Sequence, residues 1–182
     1  MSYEEIYHSK LITADEAVKK FIKSGDKLFI GGLSVATPIL SALLDRIKND
    51  EYENISAYGN MILSDIGLND ARLTPDKFRY YSFFHGKYER EGVQFGSVTH
   101  VPLHLSHFQG YFKQVSPDIA IVPMTPPNEH GYCNIGPAGY APAGINNSKK
   151  IIAVINRCIP RVYGSNHDYH VSDNSGFVEF DE

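Results

Sequence analysis

This sequence predicts an α/β fold, with a largely parallel sheet covered by helices on both faces. Three observations lead there. Strand-like and helix-like segments alternate along the whole chain. The most apolar strand segments, residues 118–124 and 149–156, lack a clean two-residue alternation, as strands buried on both faces do. Finally, 182 residues with 42% hydrophobic and 21% charged content suffice for one domain with a sizeable core. No internal repeat, low-complexity stretch or linker divides residues 1–182.

The elements follow in order. Thr13-Ala14-Asp15-Glu16 is a capping box, in which hydroxyl and carboxylate satisfy each other's backbone N–H groups. Ala14, Ala17, Val18, Phe21 and Ile22 continue it at helical spacing, and Gly25 is expected as the C′ residue. Residues 27–30 read as a strand entering Gly31-Gly32. Pro38 suits the first turn of a second helix, whose apolar face is Ile39, Leu40, Leu43, Leu44 and Ile47. Residues 54–58 form a second strand. Residues 60–77 mix turn formers with isolated apolar residues and receive no assignment. The aromatic run 78–84, in a chain with twelve Tyr, ten Phe and no Trp, reads as a core or subunit-interface strand ahead of a ligand cleft. Residues 85–96 form a polar loop or short helix, and 96–101 a strand. Leu105, Phe108, Phe112 and Val115 share a helix face. Strands 118–124 and 149–156 follow, and His170-Val171-Ser172 is a last short one.

Composition excludes several classes. The net charge of −4, with basic residues scattered, gives no nucleic-acid footprint. No apolar run reaches the ~20 residues of a membrane helix, and the polar start carries no signal-peptide pattern. Two cysteines, Cys133 and Cys158, fit a reducing interior better than a disulfide scaffold. A cytoplasmic protein without membrane or nucleic-acid partners is the expectation.

Two stretches are candidate sites. Gly31-Gly32-Leu33-Ser34-Val35-Ala36-Thr37-Pro38 is a strand-to-helix turn where glycines admit a ligand to the backbone and helix-start N–H groups favour an anion. It lacks the dinucleotide glycine pattern and the Walker lysine, and a tight turn without ligand explains it equally well. Residues 126–136 leave a core strand and carry Glu129, His130 and Gly131. Polar groups just past such a strand are where α/β proteins build sites. As a dipeptide, Glu129-His130 reads as a turn cap and a packed ring before it reads as an acid–base or metal pair. The pairs His104/His107 and His167/His170 have metal-compatible spacing but no third ligand, and a buried, inert thiol is the expectation for Cys133.

These pieces resemble one family. Ala14-Asp15-Glu16-Ala17-Val18 with Ile22-Lys23-Ser24-Gly25-Asp26, the Gly31–Pro38 turn, Pro127-Asn128-Glu129-His130-Gly131-Tyr132-Cys133, Pro160-Arg161 and His170-Val171-Ser172-Asp173 are similar to the N-terminal domain of the acetyl-CoA hydrolase/transferase family. Within it, the likeness is close to the 4-hydroxybutyrate and butyrate:acetate CoA-transferase branch. The sequence departs from it at Pro137, Gly139, Pro142, Gly144, Asn146 and Asn147, turn formers where relatives continue into an alanine-rich helix.

The resemblance implies the CoA-transferase fold and a glutamyl-CoA mechanism whose nucleophilic glutamate lies in a C-terminal domain or subunit outside this chain, so no catalytic residue is expected here. Acyl-CoA and a short-chain carboxylate would be the substrates, with coenzyme A itself a substrate and no other cofactor or metal. Gly31, Gly32, Thr37, Pro127, Glu129, His130 and Gly131 are the expected substrate-binding residues, and a homo-oligomer is the expected assembly. Three rivals remain: an acyl-CoA hydrolase, a sugar-phosphate isomerase using Glu129 as base, and a ligand-binding domain without catalysis.

Overall fold

The computed structural model describes residues 1–31 and 36–181. The elements are α1 (Tyr3–Ser9), α2 (Ala14–Phe21), β1 (Lys27–Ile30), α3 (Thr37–Lys48), β2 (Ile55–Gly59), β3 (Phe78–Ser82), α4 (Lys87–Phe95), β4 (Val98–His100), a 3-10 turn (Leu105–His107), α5 (Phe108–Val115), β5 (Ile119–Met124), β6 (Tyr132–Asn134), α6 (Ala141–Ile145), β7 (Lys150–Ile155), β8 (Asp168–His170) and β9 (Gly176–Glu179). Seven strands form a parallel sheet in the order β4-β3-β2-β1-β5-β7-β9, and β6 and β8 form a separate antiparallel ribbon. From β1 the chain winds outward one way to β4. It then returns to β5, beside β1, and winds the other way. The direction of winding therefore reverses between β1 and β5.

Two cores explain why the strands show no two-residue pattern. Leu28 and Ile30 of β1 and Ile119 and Ile121 of β5 face α2 and α3. Phe29, Ala120, Val122 and Met124, from the same strands, face α5, α6 and the ribbon. Both sides of each strand are buried, so both must be apolar. The five predicted face residues of α3, Ile39, Leu40, Leu43, Leu44 and Ile47, are all fully buried. Each contributes about 1.5–3 kcal/mol of burial. Truncating one, such as Leu40→Ala, is expected to cost about 2–5 kcal/mol.

Several local expectations are corrected. Helix α2 has the predicted box, Thr13 Oγ1 accepting from the Glu16 N–H at 3.2 Å. It ends at Ile22, however, whose extended ψ of 140° stops it. Gly25 is not its C′ residue but lies in the following turn at φ +87°, its N–H donating to Glu53 O. Leu105 is exposed on the 3-10 turn, away from the face that Phe108 and Phe112 bury. His104 caps that turn and His107 closes it, so the two do not share a regular helix. The turn-rich segment beyond residue 136 folds a short buried helix, α6, because Pro142 sits in its first turn, where no N–H is needed. The strand expected at 170–172 lies earlier, at Asp168–His170.

Candidate functional site

The Gly31 turn and the 126–131 loop leave the carboxyl ends of β1 and β5, the two strands flanking the winding reversal. In open α/β sheets, that crevice is where ligands bind. The chain is held close there: the Gly31 N–H donates to Ile121 O at 3.0 Å. A Cβ on Gly31 would lie 2.8 Å from the Phe29 ring and 3.2 Å from Val122 Cγ2, so the backbone packs against β5 only without a side chain. Gly32 lies outside the described residues. Thr37 opens α3, followed by Pro38 in its first turn.

The 126–131 loop is a capped turn. Asn128 Oδ1 accepts from the N–H groups of His130 (3.0 Å) and Tyr132 (2.9 Å). The Gly131 N–H donates to Asn128 O, and the Asn128 N–H to Tyr132 O. The turn cap is therefore Asn128 and not Glu129. Glu129 and His130 project outward, 85% and 73% exposed, with Oε1 and Nε2 3.6 Å apart. His130 does not pack on a neighbour, and both side chains are available to a ligand or a facing domain. Gly131 stands at φ +79°, with Tyr3 Cβ 2.7 Å and His170 Nε2 2.8 Å from where its Cβ would sit.

The remaining residues of the family-like pattern support this loop from behind. Thr125 exchanges bonds with Asn134: its N–H donates to Asn134 O (2.8 Å) and its hydroxyl accepts from the Asn134 N–H (3.0 Å). Asn134 is fully buried, yet its amide is saturated. Nδ2 donates to Val162 O and Asp168 Oδ1, and Oδ1 accepts from the N–H groups of Gly136 and Val162, all at 2.9–3.0 Å. Arg161 reaches Asp168 Oδ1 at 2.9 Å and Tyr132 O at 2.7 Å. His170 takes Ser172 and Asp173 as partners, and Lys10 donates to the carbonyls of Val171, Ser172 and Asn174. Segments far apart in sequence, Lys10 included, thus form one scaffold around the β6–β8 ribbon.

Cys133 is buried inside that scaffold, and burial pushes its thiol up to about 12, so it stays protonated and inert at neutral pH. Cys158 is exposed. Among the described residues no group of three His, Cys, Asp or Glu side chains is placed to hold a metal.

Sequence reading missed α1, although Ser2 and Glu5 form the same capping box as Thr13 and Glu16. This helix covers the carboxyl ends of β5, β7 and β9, enclosing a cavity of about 400 Å³ lined by Tyr3, Tyr7, Pro126, Pro127, Arg157 and Glu179. Tyr7 donates its hydroxyl to Glu179 at 2.7 Å, and burial together with that carboxylate raises its ionisation well beyond the usual tyrosine range.

Residues 1–181 match the family described as acetyl-CoA hydrolase/transferase N-terminal domain. Butyryl-CoA:acetate CoA-transferase of Anaerostipes caccae is 33% identical over 98% of this chain and 41% of its own length. 4-Hydroxybutyrate coenzyme A transferase of Clostridium kluyveri is 28% identical over 98% of this chain and 42% of its own. The chain thus spans about two fifths of these relatives. The crystal structure of RipA from Yersinia pestis superposes on the whole chain and 45% of its own at a TM-score of 0.87 and 24% identity, a likeness of fold.

Proposed function

We propose, from the premise that this chain belongs to the acetyl-CoA hydrolase/transferase family as an N-terminal domain, that it supplies half of the active site of a CoA-transferase. The substrates would be an acyl-CoA and a short-chain carboxylate such as acetate, butyrate or 4-hydroxybutyrate, the chemistries named in its relatives. The observation that carries this reading is positional: the Gly31 turn and the Pro127–Gly131 loop open at the carboxyl ends of the two strands where the winding reverses.

In this reading the nucleophile is a glutamate in the second half. Its carboxylate oxygen attacks the thioester carbonyl. The C–S bond breaks, and CoA thiolate leaves an acyl-glutamyl anhydride. The thiolate then attacks the glutamyl carbonyl, releasing the acyl group as a carboxylate and leaving a glutamyl-CoA thioester. An incoming carboxylate reverses both steps. Covalent catalysis of this kind splits one difficult exchange into easier ones.

This chain's part is positioning and exclusion of water. Gly31, Gly32 and Thr37 help hold the carboxylate or acyl group, Gly31 by letting the backbone approach closely, since its N–H is already bonded to Ile121 O. Pro127 and Gly131 form a stiff wall, and Glu129 and His130, already facing outward, meet the substrate or the second half. Glu129 is not assigned the nucleophile's role, because its turn belongs to the scaffold half. Free thiols at Cys133 and Cys158 support a reducing, cytoplasmic setting. No described helix is long and apolar enough to cross a membrane. Homo-oligomerisation, commonly as a symmetric dimer, is read by light scattering.

The test incubates the 182-residue chain with acyl-CoA and weighs the intact protein. No covalent adduct is expected on this chain, and exchange is expected in a protein carrying both halves. A CoA thioester on one of this chain's own carboxylates would overturn the reading.

A further inference from the structure

The lysines are scattered in sequence, but the fold gathers five of them at the amino edge of the sheet, opposite the crevice. Lys19, Lys20 and Lys23, around the end of α2, meet Lys149 and Lys150, at the start of β7. Together they line a cavity of about 340 Å³ whose apolar lining is Phe21, Ile22 and Ile119. Backbone bonds across the starts of β1, β5 and β7 fix its rim. The Asp118 N–H donates to Lys27 O at 2.8 Å, the Lys149 N–H to Pro117 O at 3.1 Å and the Lys150 N–H to Asp118 O at 3.1 Å. These strands are four to six residues long, so the cavity stands roughly 13–20 Å from the Gly31 turn and the 126–131 loop.

Five ammonium groups share this lining with two carboxylates, Asp26 and Asp118, in a chain whose net charge is −4. Both carboxylates are committed. Asp118 Oδ1 accepts from the Lys149 ammonium at 2.6 Å and Oδ2 from the Lys27 N–H at 2.9 Å. Asp26, buried, accepts from the Lys23 N–H at 2.9 Å. Lys19 pairs with Asp15 at 2.8 Å. Lys20, Lys23 and Lys150 form no ion pair among the described residues. The ammoniums of Lys20 and Lys150 lie 5.2 and 5.9 Å from the centroid of one ring, that of Phe21. Lysines in the last turn of a helix complement its dipole, which accounts for Lys19 and Lys20. It does not account for Lys23, beyond the helix, or for Lys150, on a strand. Like charges gathered at one cavity repel, and an anion between them relieves that cost.

We infer that this cavity binds a small polyphosphate anion, with Lys20, Lys23 and Lys150 as its contacts. Lysine meets phosphate as a compact point charge, and three unpaired ammoniums call for several negative charges on adjacent groups. A lone carboxylate supplies one. A nucleic acid needs a basic stripe, and an extended acidic peptide needs an open groove or a free strand edge. A walled cavity between the starts of three paired strands offers neither. The ligand class is therefore a linear di- or triphosphate, free or carried by a nucleotide. This site does not rest on the proposed function.

The test titrates the 182-residue chain with tripolyphosphate, ATP, orthophosphate, citrate and a polyglutamate peptide. Ionic strength is held constant, because salt screens such contacts. Calorimetry reads the affinities, and amide NMR shifts read the place. Tripolyphosphate should bind about tenfold more tightly than orthophosphate or citrate, with shifts around Lys20, Phe21, Lys23 and Lys150. ATP matching tripolyphosphate assigns the site to the phosphate chain alone, and ATP binding more tightly assigns it to a nucleotide. Lys150→Gln should weaken tripolyphosphate about fivefold, and adding Lys20→Gln should weaken it further. Melting temperatures should not change, since both side chains are exposed. Lys87→Gln removes the same charge from an exposed lysine of α4, 5.2 Å from the Tyr88 ring, and should leave the affinity as it was. Equal binding of citrate, tighter binding of the peptide, an equal loss in Lys87→Gln, shifts at Gly31 or Gly131 in place of the lysines, or no measurable binding would overturn the site.

Discussion

Two regions, the β6–β8 ribbon and the exits of β2 and β3, are built on opposite terms. Around β6 and β8 the groups that hold the loop are well satisfied: the Asn134 side chain makes four hydrogen bonds while fully buried, and Thr125, Asn128, Arg161 and His170 are all engaged, with Asn174 Oδ1 the exception, buried without a partner among the described residues. In β3 and around the exits of β2 and β3, three buried polar atoms have no partner among the described residues. The saturated region is the one whose sequence is easiest to recognise. The unpaired region lies in and beside the stretch least legible from sequence, residues 60–77. The difference teaches that a recognisable motif can mark scaffolding, with its most eye-catching pair, Glu129 and His130, left in solvent. Three of the four unmet polar atoms lie elsewhere.

Replacing residues in each region sharpens that contrast. The largest effect is expected at Asn134→Ala, which strands the N–H groups of Gly136 and Val162 and the carbonyl of Val162. A loss of about 3 kcal/mol in denaturant unfolding is expected; a loss below about 1 kcal/mol would mean that the ribbon is not the scaffold described. Gly131→Ala comes next, at about 2 kcal/mol, because φ is +79° and Tyr3 Cβ stands 2.7 Å from the new atom. Protease susceptibility of α1 should rise with it.

Glu89→Gln probes the other region through pH. Burial raises the Glu89 carboxyl above its ordinary 4.5, so the folded state holds the proton more tightly than the unfolded chain. The associated stability is fully present below pH 4.5 and is lost as pH rises through the folded-state value. The unfolding free energy of the unaltered chain, relative to the Gln variant, should therefore fall as pH is raised from 4 toward 7. A difference that does not change with pH would contradict the buried, desolvated carboxylate. The smallest effect is expected at Glu129→Gln. With its side chain 85% exposed, stability should change by less than about 0.5 kcal/mol. Under the proposed function, substrate affinity in a two-domain protein would change while the covalent adduct still forms.

Much of the fold was legible because its signals are local. The Thr13–Glu16 box, the strand at 27–30 and the five-residue face of α3 came from spacing and capping alone, and each stands where expected. The signals failed where tertiary contacts replaced local preference. Ile22, not Gly25, ended α2, and α6 formed across prolines and glycines because the second core needed Ala141, Ala143 and Ile145. The Gly31 turn and the 126–131 loop were legible as candidates. That they flank the winding reversal was not, since strand order depends on pairings distant in sequence.

By itself the sequence determined which segments bury apolar surface, where helices begin, and which family the chain belongs to, because residue types and spacings act over a few positions. Only the tertiary structure decided that Asn128 and Asn134, and not Glu129, hold the loop, and that Asn60 Oδ1 and His85 Nε2 have no partner among the described residues. Whether a buried polar atom is satisfied depends on what the rest of the chain brings within about 3 Å of it, and no run of neighbouring residues encodes that.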